Sequence, residues 1–213
     1  MKRAKKILII IQRSNGDVLL SSSLVKAIYE HFNCPQIDLL VNDDTYSIAK
    51  LIPFIKNIYQ FSYLEKNKNK WGQEKKLIKT IFKKYDLSIN LTSSDRSVIY
   101  AFLSGKKRIS AVEKSNIKSW WKKIFLSHYY HFDNSKHILL NNLHPLKYLK
   151  IDHQEIHYPI SSSKQASVEI KKKLCDHKVN DFLIFHPSTQ YEYKVYPQNL
   201  RDILIKLLSG IGV

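Results

Sequence analysis

A chain of 213 residues with 44% hydrophobic content is long enough to bury a real core, in one large domain or two modest ones. Lysine and arginine number 35 against 18 aspartates and glutamates, and the formal charge of +17 favours polyanionic partners: nucleic acid, an anionic membrane or phosphorylated substrates. Two distant cysteines, Cys34 and Cys175, give no metal or redox spacing and make a reducing cytoplasm the default, while no apolar stretch approaches the roughly 18 residues of a spanning helix.

The basic start, Met1 to Lys6, followed by isoleucines imitates a signal peptide. Its apolar run is too short, however, and lacks a small-residue cleavage site. Ile7 to Ile11 reads instead as a strand buried on both faces. Gln12 to Asp17 breaks that pattern, and Val18 to Phe32 has helical spacing. Strand, Gly-containing loop and helix make the opening unit of a parallel α/β domain, where ligands sit outside the carboxyl ends of the strands. Asp17 lies in that loop.

Gln36 to Val41 predicts a second strand, and Asn42-Asp43-Asp44 a cap for a short helix through Leu51 rather than a metal-holding pair. Ile58 to Phe61 follows as a strand, Lys66 to Lys70 as a charged loop, and Trp71 to Lys84 as an amphipathic helix. Leu87 to Leu91, a helix from Ser94 to Leu103 stopped by Gly105, and a strand from Lys107 to Val112 continue the alternation of a doubly wound sheet. The segment from Glu113 to Asp133 breaks it by interleaving lysines with Trp120, Trp121, Tyr129 and Tyr130. That pattern suits stacking on bases, a membrane interface, an anionic glycolipid, or simply tryptophans covering a core.

Asn134 to Leu149 reads as a helix interrupted near Pro145. His153 and His157 stand four apart but lack the zinc-protease pattern, so no metal site is expected there. Ser161-Ser162-Ser163 has linker composition and sets the expected boundary, with one domain over 1–160 and another beginning in 161–213. Gln165 to Cys175 predicts a helix, Phe182 to Phe185 a buried strand, and Pro197 the first turn of a helix through Leu208. A second α/β domain with one strand–helix unit cannot cover both faces of a sheet, which leads to the expectation of an incomplete form of a longer enzyme.

Three stretches resemble glycosyltransferase family 9, the lipopolysaccharide heptosyltransferases. Ser14-Asn15-Gly16-Asp17-Val18-Leu19-Leu20 resembles the family's first loop, and Tyr85 to Leu91 the strand after its third helix. Phe185-His186-Pro187-Ser188-Thr189 with Lys194-Val195-Tyr196-Pro197 resembles its His-Pro-Gly-like turn and Lys-x-Trp-Pro. Ser188 and Tyr196 depart from the usual glycine and tryptophan, and the family's later donor-binding motifs are absent.

The resemblance implies a GT-B-type α/β fold: a Rossmann-like acceptor-side domain followed by the first part of a nucleotide-sugar-binding domain, with reaction in the cleft. It implies inverting transfer of a heptose or related sugar from ADP-heptose to the lipopolysaccharide inner core, with no metal or other cofactor. Such chemistry needs a base for the acceptor hydroxyl and cationic or N–H groups for the departing diphosphate. Asp17 fits the base; the alternative is that Asp17, Ser14 or Asn15 caps the helix. Lys194, with Ser188 and Thr189, fits the diphosphate partner. Arg13, Lys118, Trp120, Lys122 and Lys123 are then expected on the phosphorylated acceptor, in a protein held by charge at the cytoplasmic face of the inner membrane. An oxidoreductase is disfavoured because no Gly-x-Gly-x-x-Gly follows the first strand. A basic nucleic-acid-binding protein and a catalytically inactive remnant stay open as alternatives, although no nucleic-acid module is recognised and no such partner is expected.

Overall fold

A computed structural model describes residues 4–114, 120–152, 156–189 and 192–210, with the backbone alone described over 66–70. The chain divides into two units, Met1–Ser161 and Ser162–Val213.

The first unit is a six-stranded sheet: β1 (Lys6–Ile10), β2 (Gln36–Asn42), β3 (Ile55–Phe61), β4 (Tyr85–Asn90), β5 (Gly105–Val112) and β6 (His128–His131). All neighbours pair in parallel in the order β3-β2-β1-β4-β5-β6. Alternation of side chains along β1 explains why it is apolar throughout. Ile7, Ile9 and Ile11 enter one core and Leu8 and Ile10 another, and all five are fully buried. Burial of each such side chain contributes about 2 kcal/mol.

The first core receives α1 (Asn15–Leu20), α2 (Ser22–His31), α3 (Tyr46–Ala49) and α7 (Ile138–Leu149). The second receives α4 (Tyr63–Ile81) and α5 (Asp95–Ser104). A short α6 (Trp120–Phe125) closes a third, smaller cluster, in which Trp121 packs against Val98, Val112 and Leu126.

Five local expectations are corrected. The helix expected over 18–32 is two, because Ser21 turns its hydroxyl and its N–H back onto the Val18 carbonyl at 2.6 and 3.1 Å. Residues 66–70 continue α4 rather than forming a loop, since Ser62 caps that helix by accepting the Glu65 N–H. The aromatic run after Glu113 contains the sixth strand, anchored by buried Tyr130. Asp43 and Asp44 form a 3-10 turn, and Asp43 accepts the neighbouring Asp44 N–H at 3.0 Å while Thr45 stands at the cap position of α3. Pro145 lies inside α7 without ending it.

The starts of three strands are tied by one carboxylate. Asp86 accepts the backbone N–H groups of Lys5 and Lys6 at 3.0 and 3.2 Å, and the Lys106 ammonium at 3.2 Å. Partial burial opposes its ionisation, but those three donors outweigh burial and hold it below the usual 3.8. A depressed folded-state value stabilises the fold above the unfolded-state value, and that contribution fades as pH falls through the folded one. Asp86→Asn is therefore expected to lower stability at pH 7 by no more than about 1 kcal/mol, the partial exposure of the group discounting the rest. The difference from wild type should shrink in denaturant melts taken below pH 3.8.

The second unit contains α8 (Lys164–Asp176) and α9 (Gln198–Gly210), with a 3-10 turn at Glu192–Lys194. The strand expected over Phe182 to Phe185 is not formed; Phe182, Leu183 and Ile184 are exposed, and no strand pairs with them among the described residues. Pro197 stands just before α9, its carbonyl accepting the Arg201 N–H at 2.9 Å. Both cysteines are free and exposed, Cys34 in the first unit and Cys175 in the second.

Candidate active site

Strand order reverses between β1 and β4, the switch point outside whose carboxyl ends ligands sit in open parallel α/β sheets. The exit of β1 is fixed on both sides: Ile11 donates to the Leu40 carbonyl and Leu91 to the Ile10 carbonyl, each at 2.9 Å. Gln12 then donates its backbone N–H to the Thr92 hydroxyl at 2.9 Å, joining the two loops.

Asp17 sits in the first turn of α1. Ser14 holds the cap position, its carbonyl receiving the Val18 N–H at 3.0 Å, and makes no side-chain cap bond. Arg13 Nε donates to Asp17 Oδ2 at 2.9 Å, and the pair is mostly but not fully buried, at 29% and 18% side-chain exposure. Beneath Arg13 lies the ring of Phe132, 4.5 Å from the guanidinium carbon. From α7, Asn142 donates to the backbone carbonyl of Asp17 at 3.2 Å. Among the described residues no hydrogen bond reaches Oδ1, which leaves one carboxylate oxygen for a ligand hydroxyl. Gly16 beside it has open space where a side chain would stand, so the fold does not itself require glycine there.

The remaining expected residues are placed as follows. Lys122 does not face solvent: it is 1% exposed, and its ammonium is held by Asp95 at 2.6 Å and the Ser93 carbonyl at 2.8 Å. Its charge is thus engaged within the first unit, pinning α6 to the loop after β4, and the expectation that it contacts an acceptor is corrected. Trp120 is exposed, and so is Lys123, whose ammonium lies 5.4 Å from the Tyr129 ring centroid. Lys118 and His153 lie outside the described residues. In the second unit Ser188, Thr189 and Lys194 are all exposed. Arg201 from the first turn of α9 donates to the Pro187 carbonyl at 3.1 Å, drawing the His186–Thr189 segment towards that helix start.

Asn142 and Phe132 escaped sequence reasoning. A buried asparagine in an apolar helix signals an obligatory hydrogen bond, but nothing in the sequence names its partner. A separate cavity of about 470 Å³ between α2 and α7 is lined by Ser23, Lys26, Glu30, Leu143 and His157, and does not include Asp17. Lys26 and Glu30 pair there at 2.6 Å, and Asp152 also lines the cavity. Among the described residues no group of three or more His, Cys, Asp or Glu side chains is placed to hold a metal ion.

No family model matches the chain. It is 25% identical over 94% of its length to lipopolysaccharide heptosyltransferase 3 of Escherichia coli, and 26% identical over 94% to the protein of that name from strain K12. The chain spans about 59% of the length of each of these relatives. Among solved structures it is similar to a glycosyl transferase family 9 protein from Veillonella parvula DSM 2008, with a TM-score of 0.73, 16% identity, and 92% of this chain matched to 57% of that one. It is also similar to E. coli heptosyltransferase WaaC with ADP-2-deoxy-2-fluoro heptose, with a TM-score of 0.69, 16% identity, and 98% of this chain matched to 67% of that one. The structural likenesses show the fold, a parallel α/β sheet of the GT-B heptosyltransferase kind, as the loop motifs imply.

Proposed function

We propose, for a chain that belongs by sequence and fold with glycosyltransferase family 9, that the protein moves a heptose from ADP-heptose to the anionic inner core of lipopolysaccharide, inverting the anomeric centre. The reading is supported by the relatives' names and by the solved WaaC complexes with ADP and with an ADP-heptose analogue. The observation that carries it is the Asp17 carboxylate, held through Oδ2 by Arg13 at the mouth of the β1–β4 switch point.

In this reading Asp17 takes the proton of the acceptor hydroxyl as the freed oxygen bonds to the anomeric carbon from the face opposite the diphosphate. The bond from that carbon to the diphosphate oxygen breaks, and ADP leaves with the electron pair. Arg13 and the Asn142–Asp17 backbone bond keep the carboxylate in place, so it need not reorganise during the step. The second unit supplies Lys194, Ser188 and Thr189 for the charge that develops on the leaving diphosphate. The acceptor's phosphates meet Arg13, the cation nearest the base. The chain's charge of +17 holds the protein at the cytoplasmic face of an anionic inner membrane, which presents the acceptor.

The test supplies ADP-heptose and a heptose-deficient lipopolysaccharide core to the protein and reads product by mass and anomeric configuration by NMR. A gain of one heptose in the inverted configuration is expected. Binding of neither ADP nor the core would remove the transferase reading, and retention of configuration would remove Asp17 as a simple base.

A further inference from the structure

We infer that the flank of the first unit formed by α5, α6 and the start of β5 is a docking surface for an anionic phospholipid bilayer. It goes beyond the catalytic reading above and draws on it only in that a lipid-borne acceptor brings the protein to a membrane.

A shallow crevice of about 230 Å³ opens where the turn after α4 meets the end of α5. Phe82, Phe102 and Leu103 make its apolar floor, and Lys83, Lys106 and Arg108 stand around it. Arg108 is fixed rather than floppy: it donates to the Gly105 carbonyl at 2.9 Å and the Phe125 carbonyl at 3.1 Å, and lies 4.5 Å from the Phe102 ring centroid. None of those partners neutralises its charge. Lys106 reaches Asp86 at 3.2 Å with most of its side chain in solvent.

The apolar surface continues onto α6, because the rings of Phe102 and Phe125 meet at 4.7 Å. Trp120 and Ile124, one helical turn apart, are 66% and 64% exposed, with Lys123 exposed between them. Ile99 adds an exposed side chain one turn before Phe102 and Leu103 on α5. A large apolar patch rimmed by cations marks an interaction surface. Tryptophan beside lysine and arginine is the composition of a membrane–water interface, where ring and aliphatic stems enter the acyl boundary and the charges stay with the headgroups.

Charge selects the occupant. From Asp95 to Phe132 the acidic residues are Asp95, paired with Lys122, and Glu113, and Asp86 pairs with Lys106. Lys83, Arg108 and Lys123 therefore keep this flank cationic, and a second copy presenting the same face would oppose cation to cation. A polynucleotide would engage the lysines and stack on Trp120, yet find no use for the isoleucines and the phenylalanine-floored crevice. An anionic leaflet satisfies both halves of the surface.

The experiment is flotation of the chain with vesicles of equal parts phosphatidylcholine and phosphatidylglycerol, against phosphatidylcholine alone. Binding to the anionic vesicles, weakened by salt, is expected. The double variant Trp120→Ser/Ile124→Ser should lower the partition coefficient roughly tenfold or more, and Lys123→Gln by a few-fold. Tryptophan emission should be quenched by brominated phosphatidylglycerol in the unmodified chain, a readout that stands even if a variant folds poorly. Equal binding to both vesicle types, unchanged partition of the double variant, or absence of quenching would each overturn the assignment, as would sedimentation showing that the double variant instead dissolves a dimer. No donor or transfer enters these measurements, so this surface and the transferase reading fail independently.

Discussion

Asp17→Asn is expected to lower kcat for the proposed sugar transfer by about 10² to 10⁴-fold, the usual worth of a positioned general base, with the Kd for ADP expected to stay within about twofold. The substitution keeps the shape of the side chain, the bond from Asn142 to the backbone carbonyl and the seat of Arg13 over Phe132. What it removes is the group proposed to accept the proton. The Arg13–Asp17 pair is partly exposed, so its loss costs no more than about 1 kcal/mol and lowers Tm by only a few degrees. Kinetics and melting therefore separate the proposed proton transfer from the ion pair with Arg13. Turnover at the wild-type rate in the variant would take Asp17 out of the chemistry.

Gly105→Ala is expected to destabilise the first unit by about 3 kcal/mol, the upper end of ordinary overpacking, and to lower Tm by roughly 10 °C. Gly105 opens β5, and a Cβ there would stand 2.5 Å from Ser88 Oγ, 2.7 Å from its backbone nitrogen and 2.8 Å from its Cβ. Rotation of the hydroxyl does not relieve the clash, because Oγ donates to the Ala101 carbonyl at 2.8 Å and the backbone nitrogen belongs to β4. Relief must come from moving one strand against the other, at the join where α5 also packs. Thermal melts of the variant and wild type measure it, and a Tm unchanged within a degree or two would refute this account of the clash.

Much of the fold was legible because the central strands are buried runs: β1 is apolar on both faces, β2 is broken between its ends only by Asp38, and β4 alternates Leu87, Ile89 and the following Leu91 with Ser88 and Asn90. Ile7 to Ile11, Ile37 to Val41 and Leu87 to Leu91 are short runs that only a covered sheet explains. The start of α4 was hidden by its lysines and asparagines, although Ser62-Tyr63-Leu64-Glu65 carries the capping pattern that the structure uses. β6 was hidden because His128-Tyr129-Tyr130-His131 alternates in burial but not in residue type. Phe182 to Phe185 reads as a strand by composition, yet a strand exists only through a neighbour. At the site, Asp17 could be found from its loop, whereas its ion pair with Arg13 needed the helical turn that brings residues four apart together. Lys122 shows the opposite failure: among so many lysines, nothing local distinguishes the one that is buried against Asp95.

The two exposed thiols have a practical consequence. Cys34 belongs to the first unit and Cys175 to the second, and the sequence has no other cysteine to compete for a maleimide. A maleimide therefore labels each unit of the unaltered protein once, with no cysteine engineered in or out.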